Sequence, residues 1–410
     1  MGGLLVFSLG PCVNMYKEGG KQHNARVSRL LFLCIFNQAT TAAIAPYVQV
    51  IFRNKGYSHS LVGSILAAGQ LATVFIPVLI GMLSDRTRRT RLILMVLGML
   101  STVAFIPAAL SGSVAITFIS FAIASGIFWS THPIVDGYET RLLKGDSSKY
   151  GFIRSMGTMS YILVLVVFGL TGIPVETDNR SICLVAGLVC LSFVISTFFI
   201  PEDIRNERQE KTYFSLNVFS RKFYMMMLLV GLSRVAQAII EKLLSSYMME
   251  VLGMGGSFVL YVALGAFSEF LMILFGGKLL QKGTISAYTM ILLSFIGLAV
   301  RLLIYYLFPN MVAFVIAQML HSLTFGALHI GVAKFIAQNV SPAHYSLGQS
   351  FYWAIATNLP EMLGAFAGGF IIDYLGYSDL FAIYTVFPLA AIVLCLAWRK
   401  TLSSPGLETE

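Results

Sequence analysis

Charged residues are scarce in this sequence of 410 residues, in which Asp, Glu, Lys and Arg together make up only 11%. A soluble globular chain carries about a quarter. Hydrophobic residues instead make up 57% of the chain, and the mean hydropathy is +0.79. This composition excludes an ordinary soluble protein and predicts a chain whose solvent is mostly lipid.

Motifs of the common enzyme classes are missing as well. The sequence has no Walker loop, which argues against ATP-driven transport by this chain alone. It has no nucleophile elbow and no metal-ligand cluster. The five cysteines lack CxxC spacing and are read as small core residues: Cys12, Cys34, Cys183, Cys190 and Cys395. We therefore expect no enzyme activity, no metal and no cofactor.

Long apolar runs separated by short polar loops dominate what is present. Each run is long enough, at about 20 residues or more, to cross the hydrocarbon core of a bilayer. We call the twelve runs spans one to twelve; they lie at residues 29–52, 60–83, 92–110, 113–137, 151–172, 181–200, 223–249, 256–280, 284–307, 311–339, 346–373 and 379–398. The sequence thus predicts an all-α membrane protein with 12 transmembrane helices.

The basic residues of the loops predict the orientation. They fall mostly in alternate short loops, and only Arg53, Lys55 and Arg180 fall on the other side. Because cytoplasmic loops carry the Lys and Arg excess, we expect both termini in the cytoplasm of a multi-pass protein of the cell (inner or plasma) membrane. The net charge of +9 is explained in this way, and a nucleic-acid partner is not implied.

A polar stretch at residues 201–222 divides the apolar runs into two sets of six. The predicted organisation is a cytoplasmic tail at 1–28, a six-helix bundle at 29–200, a cytoplasmic linker at 201–222, a second six-helix bundle at 223–398 and a cytoplasmic tail at 399–410. Gly69 and Gly81 of span two recur at the same spacing as Gly265 and Gly277 of span eight. This is modest support for the internal repeats common in secondary transporters.

The loop after span two, GMLSDRTRR at residues 81–89, resembles the G-x-x-x-D-R-x-x-R pattern of the major facilitator superfamily. Its plainer interpretation is a basic cytoplasmic loop. The resemblance implies two six-helix bundles around a central site that opens alternately to the two sides. It also implies that this loop latches the inner gate, with Gly81, Asp85, Arg86 and Arg89 as the gate residues.

Two further segments resemble one branch of that superfamily, which holds the phenylpropionate permease, the lactose permease and the nucleoside-proton symporters. They are PIVDGYE with YGFIRSMGTMSY, at residues 133–139 and 150–161, and QMLHSLTFGALHIGVAKFI at 318–336. The resemblance implies that Asp136 and Arg154 form a pair that binds substrate. Thr324 departs from the branch, because a carboxylate that releases the proton is expected there.

Elementary chemistry supports the first pair independently. An arginine cannot shed its proton in a protein, so Arg154 inside a helix must find a carboxylate, polar carbonyls or water. Asp136 is the nearest candidate across the hairpin of spans four and five. The alternatives are a static salt bridge and an arginine that snorkels from near the inner end of span five.

Polar groups in the second half predict a proton-coupling site. Glu269 lies among apolar residues of span eight, where it must either carry a proton or form a fixed pair with Arg301. His321 and His329 are eight residues apart on span ten and share a face with Gln318. An unperturbed histidine titrates near about pH 6.5, which suits a proton relay, although a lone buried histidine is more often a core residue.

The remaining charges inside the spans receive mainly structural interpretations. Arg234 of span seven and Glu361 of span eleven are predicted to form an ion pair. Glu241 and Lys242 are read as reaching the outer interface. Glu139, Lys334 and Asp373 lie near span ends, where solvated or snorkelling groups are expected.

We therefore expect a permease that works as a functional monomer in the lipid bilayer and symports a small-molecule substrate with protons. Tyr47 and Trp129 provide aromatic faces, and with Asp136, Arg154 and Gln318 they complete the predicted substrate site. Aromatic faces stack on sugars and benzene rings alike, so an aromatic acid, a sugar and a nucleoside all fit. The alternative is a non-transporting membrane sensor or assembly protein that keeps the permease fold.

Overall fold

The computed structural model describes residues 21–87, 89–143, 147–200, 218–341 and 344–404 of the chain. Within these residues every regular element is helical and no strand occurs. In this described part of the chain, eleven helices are long and apolar enough to cross a membrane. The prediction of an all-α membrane protein is confirmed.

The first half consists of six spans. Span one is a composite of Lys21–Ile44, a 3₁₀ segment at Ala45–Tyr47 and Val48–Asn54. The 3₁₀ turn contains Pro46, which has no backbone N–H to donate and therefore interrupts the helix. Spans two to six are His59–Thr87, Thr90–Leu110, Val114–Leu142, Ser147–Thr171 and Asn179–Thr197.

The second half contains more interruptions. Span seven runs through Arg221–Ala238, Ile239–Leu243 and Leu244–Glu250; spans eight and nine are Phe258–Gln281 and Ala287–Leu307; span ten runs through Met311–Met319, Ser322–Ala327 and Leu328–Asn339; and the last helices are Tyr345–Trp353, Ala354–Asn358, Leu359–Ala397 and Arg399–Leu402. Three of these segments, Ile239–Leu243, Ser322–Ala327 and Ala354–Asn358, are π-helical. π-Helical turns are rare in proteins, and those that do occur often lie at functional sites.

The sequence predicts twelve spans, and the described residues form eleven long helical stretches because two predicted spans are continuous through Gly376. The eleventh apolar stretch covers 51 residues, Leu347–Ala397, and contains Gly376 at φ +87° and ψ 177°. Only glycine adopts this conformation readily, so the chain bends there. The bend separates an arm for span eleven from an arm for span twelve.

The predicted domain boundaries meet the structure only in part. The first helix begins at Lys21, so residues 21–28 of the predicted tail are already helical. Span seven begins at Arg221, inside the predicted linker, with the Ser220 side chain accepting a hydrogen bond from the Phe223 N–H. Residues 201–217 of the linker, like residues 1–20 and 405–410 of the two tails, lie outside the described residues.

The two halves are joined at one end, which carries the turns 55–58, 172–178 and 374–378; we call it the outer end and the opposite one the inner end. Both carboxylate oxygens of Asp373 accept backbone hydrogen bonds at the start of span two, from His59 at 2.9 Å and Ser60 at 2.7 Å. Asp373 thus accepts hydrogen bonds from the start of a helix of the other half, while its side chain is exposed, as predicted for a residue near a span end.

A second contact between the halves at the outer end centres on Glu250, the last residue of span seven. Its carboxylate lies 2.7 Å from Arg53 Nε and 3.1 Å from His59 Nε2, and it accepts a hydrogen bond from the Tyr377 hydroxyl at 3.3 Å. The backbones of the two halves also pack closely at Gly63 of span two. A Cβ at Gly63 would stand 2.5 Å from the Ala365 carbonyl oxygen of the other half. The outer end is therefore closed.

Hydrogen bonds, ion pairs and close glycine contacts between the halves run only from the outer end to the middle of the molecule, as far as the described residues go. At the inner end the side chains of Arg86 and Arg89 are exposed. Within the described residues, the two halves are therefore joined at the outer end and in the middle of the molecule.

The glycine repeat is also visible in the packing. A Cβ at Gly69 of span two would meet Phe121 and Ser125 of span four. The corresponding Gly265 of span eight would meet Gln318 and His321 of span ten. Spans two and four of the first half therefore correspond to spans eight and ten of the second half, as an internal repeat requires.

Candidate functional site: a polar cluster in each half

Asp136 and Arg154 meet as the sequence predicts. Arg154 NH1 lies 3.3 Å from Asp136 Oδ1, and the two side chains are 42% and 35% exposed, respectively. They come from spans four and five, which are joined by the short turn after Leu142. A pair this accessible leaves room for a solute to share its hydrogen bonds.

His132 lies one turn before Asp136 on span four and was missed by the sequence reasoning. Its Nε2 is 3.2 Å from the Thr41 hydroxyl and its Nδ1 is 3.4 Å from Asn37 Nδ2, both on span one. The Trp129 ring stacks on the imidazole with centroids 5.1 Å apart. The signal in the sequence was spacing, because Trp129, His132 and Asp136 fall on one helical face.

A cavity opens beside this cluster, between span seven and the spans of the first half. Among its lining residues are Gln49, Gln70, Trp129, Glu241 and Lys242. Trp129 therefore faces the cavity as predicted. The Lys242 ammonium lies 6.0 Å from the centroid of the Trp129 ring, so both halves contribute to the wall.

Tyr47 is placed differently from the prediction. Its side chain is only 2% exposed, and its ring packs edge-on against Phe258 of the other half, with centroids 5.5 Å apart. The 3₁₀ turn carries it into the closed outer end. In this conformation Tyr47 does not line the cavity but seals it.

Arg301 is the centre of a hydrogen-bond network in the second half and is fully buried. It donates to Gln318 Oε1 at 2.7 Å and to the Thr324 hydroxyl at 3.2 Å, and it lies 2.9 Å from His321 Nδ1. It also donates to the Tyr305 hydroxyl at 3.1 Å. Gln318, predicted to bind substrate, has its oxygen committed to this arginine.

Glu269 does not form the fixed pair with Arg301 that was one of the two sequence expectations, in the contacts given by the described residues. His321 stands between them, with its Nε2 3.5 Å from Glu269 Oε2. Arginine has donors only, so Nδ1 of His321 is the acceptor and the ring proton lies on Nε2, facing Glu269. The three residues form a line of groups from a fixed cation to a titratable carboxylate.

His329 shares the face of His321, as the spacing predicts. The ring of Phe325 lies between them and stacks on both, with centroids 5.8 Å from His321 and 6.2 Å from His329. Nδ1 of His329 is buried, and no hydrogen-bond partner for it is present in the described part of the chain. The aromatic ring separates His329 from the line that His321 forms with Glu269.

Arg234 and Glu361 also meet as predicted, with NH1 3.3 Å from Oε1. The pair belongs to a larger cluster: the same Arg234 nitrogen lies 3.1 Å from Glu241, and Lys242 Nζ lies 3.9 Å from Glu361. Gln70 of the first half donates to Glu361 at 3.1 Å. The prediction that Glu241 and Lys242 reach the outer interface is wrong, since the π-helical turn containing them directs both inward.

The predicted inner gate remains a prediction. Arg86 and Arg89 are exposed, and a Cβ at Gly81 would meet no atom within 4 Å. Within the described residues no hydrogen bond or ion pair of either arginine side chain is found. The Asp85 side chain lies outside what the structure describes, as does Arg88.

A model of the MFS_1 like family matches residues 27–383. The chain belongs to the MFS_1 like family. The resemblance to the major facilitator superfamily is thereby confirmed over most of the chain. The uncharacterized transporter YwbF of Bacillus subtilis (strain 168) is 22% identical over 378 residues, which is 90% of this chain and 93% of YwbF.

Solved structures share the fold at low sequence identity. A mutant of the nucleoside transporter NupG superposes with a TM-score of 0.78 at 16% identity, covering 92% of this chain and 100% of that one. A bacterial homolog of the human lysosomal transporter Spinster, inward-facing and unoccupied, gives 0.69 at 15% identity, covering 95% and 100%. The protein is a multi-pass membrane transporter of the major facilitator type.

Proposed function

We propose that this transporter is a proton-coupled symporter of a small, uncharged polar organic solute, such as a nucleoside or a sugar. The observation that carries the proposal is the line Arg301, His321 and Glu269, in which a buried cation orients a histidine toward a carboxylate. Glu269 faces the N–H of this histidine at 3.5 Å from within an apolar span, where ionisable side chains mark proton pathways.

Proton binding can be coupled to conformational change because the three residues of this line lie on three different spans. Glu269 is on span eight, His321 on span ten and Arg301 on span nine. Protonating Glu269 removes the negative charge that the Nε2–H of His321 faces, which weakens the link between spans eight and ten. A change in that link is the kind of local electrostatic event that biases a two-state transporter.

The charge balance supports an uncharged solute over an aromatic acid. The clusters contain four basic groups, Arg154, Arg234, Lys242 and Arg301, and four acidic groups, Asp136, Glu241, Glu269 and Glu361. Arg154, Arg234 and Lys242 each have a carboxylate within 4 Å. Arg301 is fully buried and already bound to Gln318, His321 and Thr324. A solute carboxylate would therefore have to displace one of the carboxylate partners, whereas hydroxyl and amide groups could join the existing bonds.

The solute site that this reasoning favours lies between Trp129 and the pair of Asp136 and Arg154. Trp129 offers a ring face to a base or a sugar ring. The half-exposed pair offers acceptors and donors to hydroxyl groups. Polar groups in both halves support transport over the sensor or assembly alternative, since a sensor needs no such cavity.

Uptake into proteoliposomes tests the proposal. The panel holds radiolabelled nucleosides, sugars and phenylpropionate, each with and without an inward proton gradient and with a protonophore as control. We expect gradient-driven accumulation of an uncharged member and none of phenylpropionate. Accumulation of phenylpropionate alone would contradict the charge argument, and uptake indifferent to the gradient would contradict symport.

A further inference from the structure

Glu139 is a fully buried carboxylic side chain that the functional account above does not use. It lies on span four, one turn beyond Asp136, and its exposure is 0%. Both of its oxygens are buried, and within the described residues neither accepts a hydrogen bond from a nitrogen or an oxygen; the Cys34 thiol beside them is a weak donor. The sequence expectation of a solvated group near a span end is therefore wrong for Glu139.

Three titratable groups act on Glu139 from nearby. These are Cys34 on span one, Asp136 on its own helix and Arg154 on span five. Its sequence neighbour Tyr138 and the nearby Ile134 and Val135 belong to a buried apolar cluster of the first half. Among these described groups, Asp136 already holds Arg154 and a thiol is a weak donor, so none of them compensates a second ionised carboxylate.

A carboxylate buried without a partner is far less favourable than the neutral acid in the same place. We propose that Glu139 is a proton-binding site of the first half, linked to the state of the pair formed by Asp136 and Arg154. Glu139 carries a proton while Arg154 is held by Asp136. When Arg154 turns toward Glu139, the O–H bond breaks, the proton leaves to water at the inner end and the carboxylate faces the guanidinium.

Arg154 needs to move only a short distance to exchange Asp136 for Glu139. Asp136 and Glu139 are three residues apart and so lie on one helical face, within reach of one arginine across the hairpin. Glu139 is also within one turn of Leu142, where span four ends, so the path to water is short. The role in transport rests on the proposed function, because a solute that draws Arg154 away from Asp136 changes the charge that faces Glu139.

Infrared spectroscopy of the full-length protein in lipid vesicles at neutral pH tests the inference without any substrate. A protonated carboxyl group has a C=O band separate from that of a carboxylate. We expect Glu139→Gln to remove one acid band. The matched control is Glu250→Gln, which removes a carboxylate held by Arg53 and His59 and should leave the acid bands unchanged.

The link to the pair is tested by Asp136→Asn. With Asp136 neutral, Arg154 loses the charge of that carboxylate and favours the ionised form of Glu139, so the acid band should disappear at a lower pH than in the wild type. An unchanged acid region in Glu139→Gln overturns the inference, and an Asp136→Asn titration identical to the wild type overturns the linkage.

A second measurement needs no variant. A hydrophobic carbodiimide reacts with protonated carboxyl groups in apolar surroundings, and peptide mass spectrometry locates the adduct. We expect modification of Glu139 and not of Glu250; modification of Glu250 alone contradicts the inference. Proton-driven uptake with an ionised Glu139 defeats the inference alone, whereas a protonated Glu139 with gradient-independent uptake defeats the proposed symport alone.

Discussion

Nδ1 of His321 lies 2.9 Å from NH1 of Arg301. The arginine can only donate, so it fixes the histidine in the tautomer that carries its proton on Nε2. A charged His321 would set two donors against each other at this distance. Arg301 therefore directs the N–H of the imidazole at Glu269.

Arg301→Lys tests this arrangement. Lysine lacks the planar fork that reaches Gln318, His321 and Thr324 together, so buried acceptors lose their donor at about 1–3 kcal/mol each. We expect a lower thermal unfolding temperature and loss of gradient-driven uptake. Arg399→Lys, which alters an exposed arginine, is the control and should change neither. Full activity in Arg301→Lys would refute the orienting role.

The cluster around Arg234 predicts a non-additive effect on stability. Arg234→Gln leaves Glu241 and Glu361 close together with only Lys242 as a counter-charge, and Glu361→Gln removes one of two acidic partners. The double variant should be more stable than the sum of the single effects predicts, with a coupling on the order of 0.5–3 kcal/mol. Denaturant or thermal unfolding in detergent measures it. Additive effects would mean that the two groups do not interact.

Asp136 and Arg154 are expected to behave in the opposite way. Both side chains are accessible, and exposed ion pairs contribute only about 0–1 kcal/mol. Asp136→Asn and Arg154→Gln should therefore fold like the wild type yet lose solute binding, measured by equilibrium exchange in proteoliposomes. Variants that bind normally would show that the pair only fastens spans four and five together.

Gly63 makes a prediction about the outer end. A Cβ there would stand 2.5 Å from the Ala365 carbonyl oxygen, so Gly63→Val cannot close as the wild type does. With Ser245→Cys as a reporter in the cavity wall, an impermeant thiol reagent added from the outer side should label the Gly63→Val protein faster. Gly277→Val is the control, because its Cβ meets no atom within 4 Å. Equal labelling would contradict a closed outer end at this site.

Pairing of opposite charges was the part of the site that could be predicted from the sequence. A charge inside an apolar span must find a partner, and this argument placed Arg154 with Asp136 and Arg234 with Glu361 correctly. The helices themselves could be predicted from the apolar runs. In lipid every backbone N–H and C=O must be hydrogen-bonded within the protein, and an α-helix satisfies this requirement by itself.

Which face of each helix turns inward was harder to predict. A membrane helix is apolar on all sides, so it lacks the polar stripe that orients a helix of a soluble protein. The π-helical turn at Ile239–Leu243 rotates Glu241 and Lys242 inward. No residue type in this segment predicts a π-helical turn. Tyr47, Gln318 and Glu139 were misplaced for a related reason, because burial depends on neighbouring spans that the local sequence does not reveal.

The central claim is that Glu269 carries the coupling proton, and Glu269→Gln tests it most directly. The glutamine cannot titrate but keeps the shape and can still accept from His321. Proteoliposomes that contain the wild type or the variant are compared in two assays. One measures solute accumulation driven by an inward proton gradient, and the other measures exchange of solute at equilibrium. Lost accumulation with surviving exchange is the predicted result. Gradient-driven accumulation at the wild-type level in Glu269→Gln would contradict the claim.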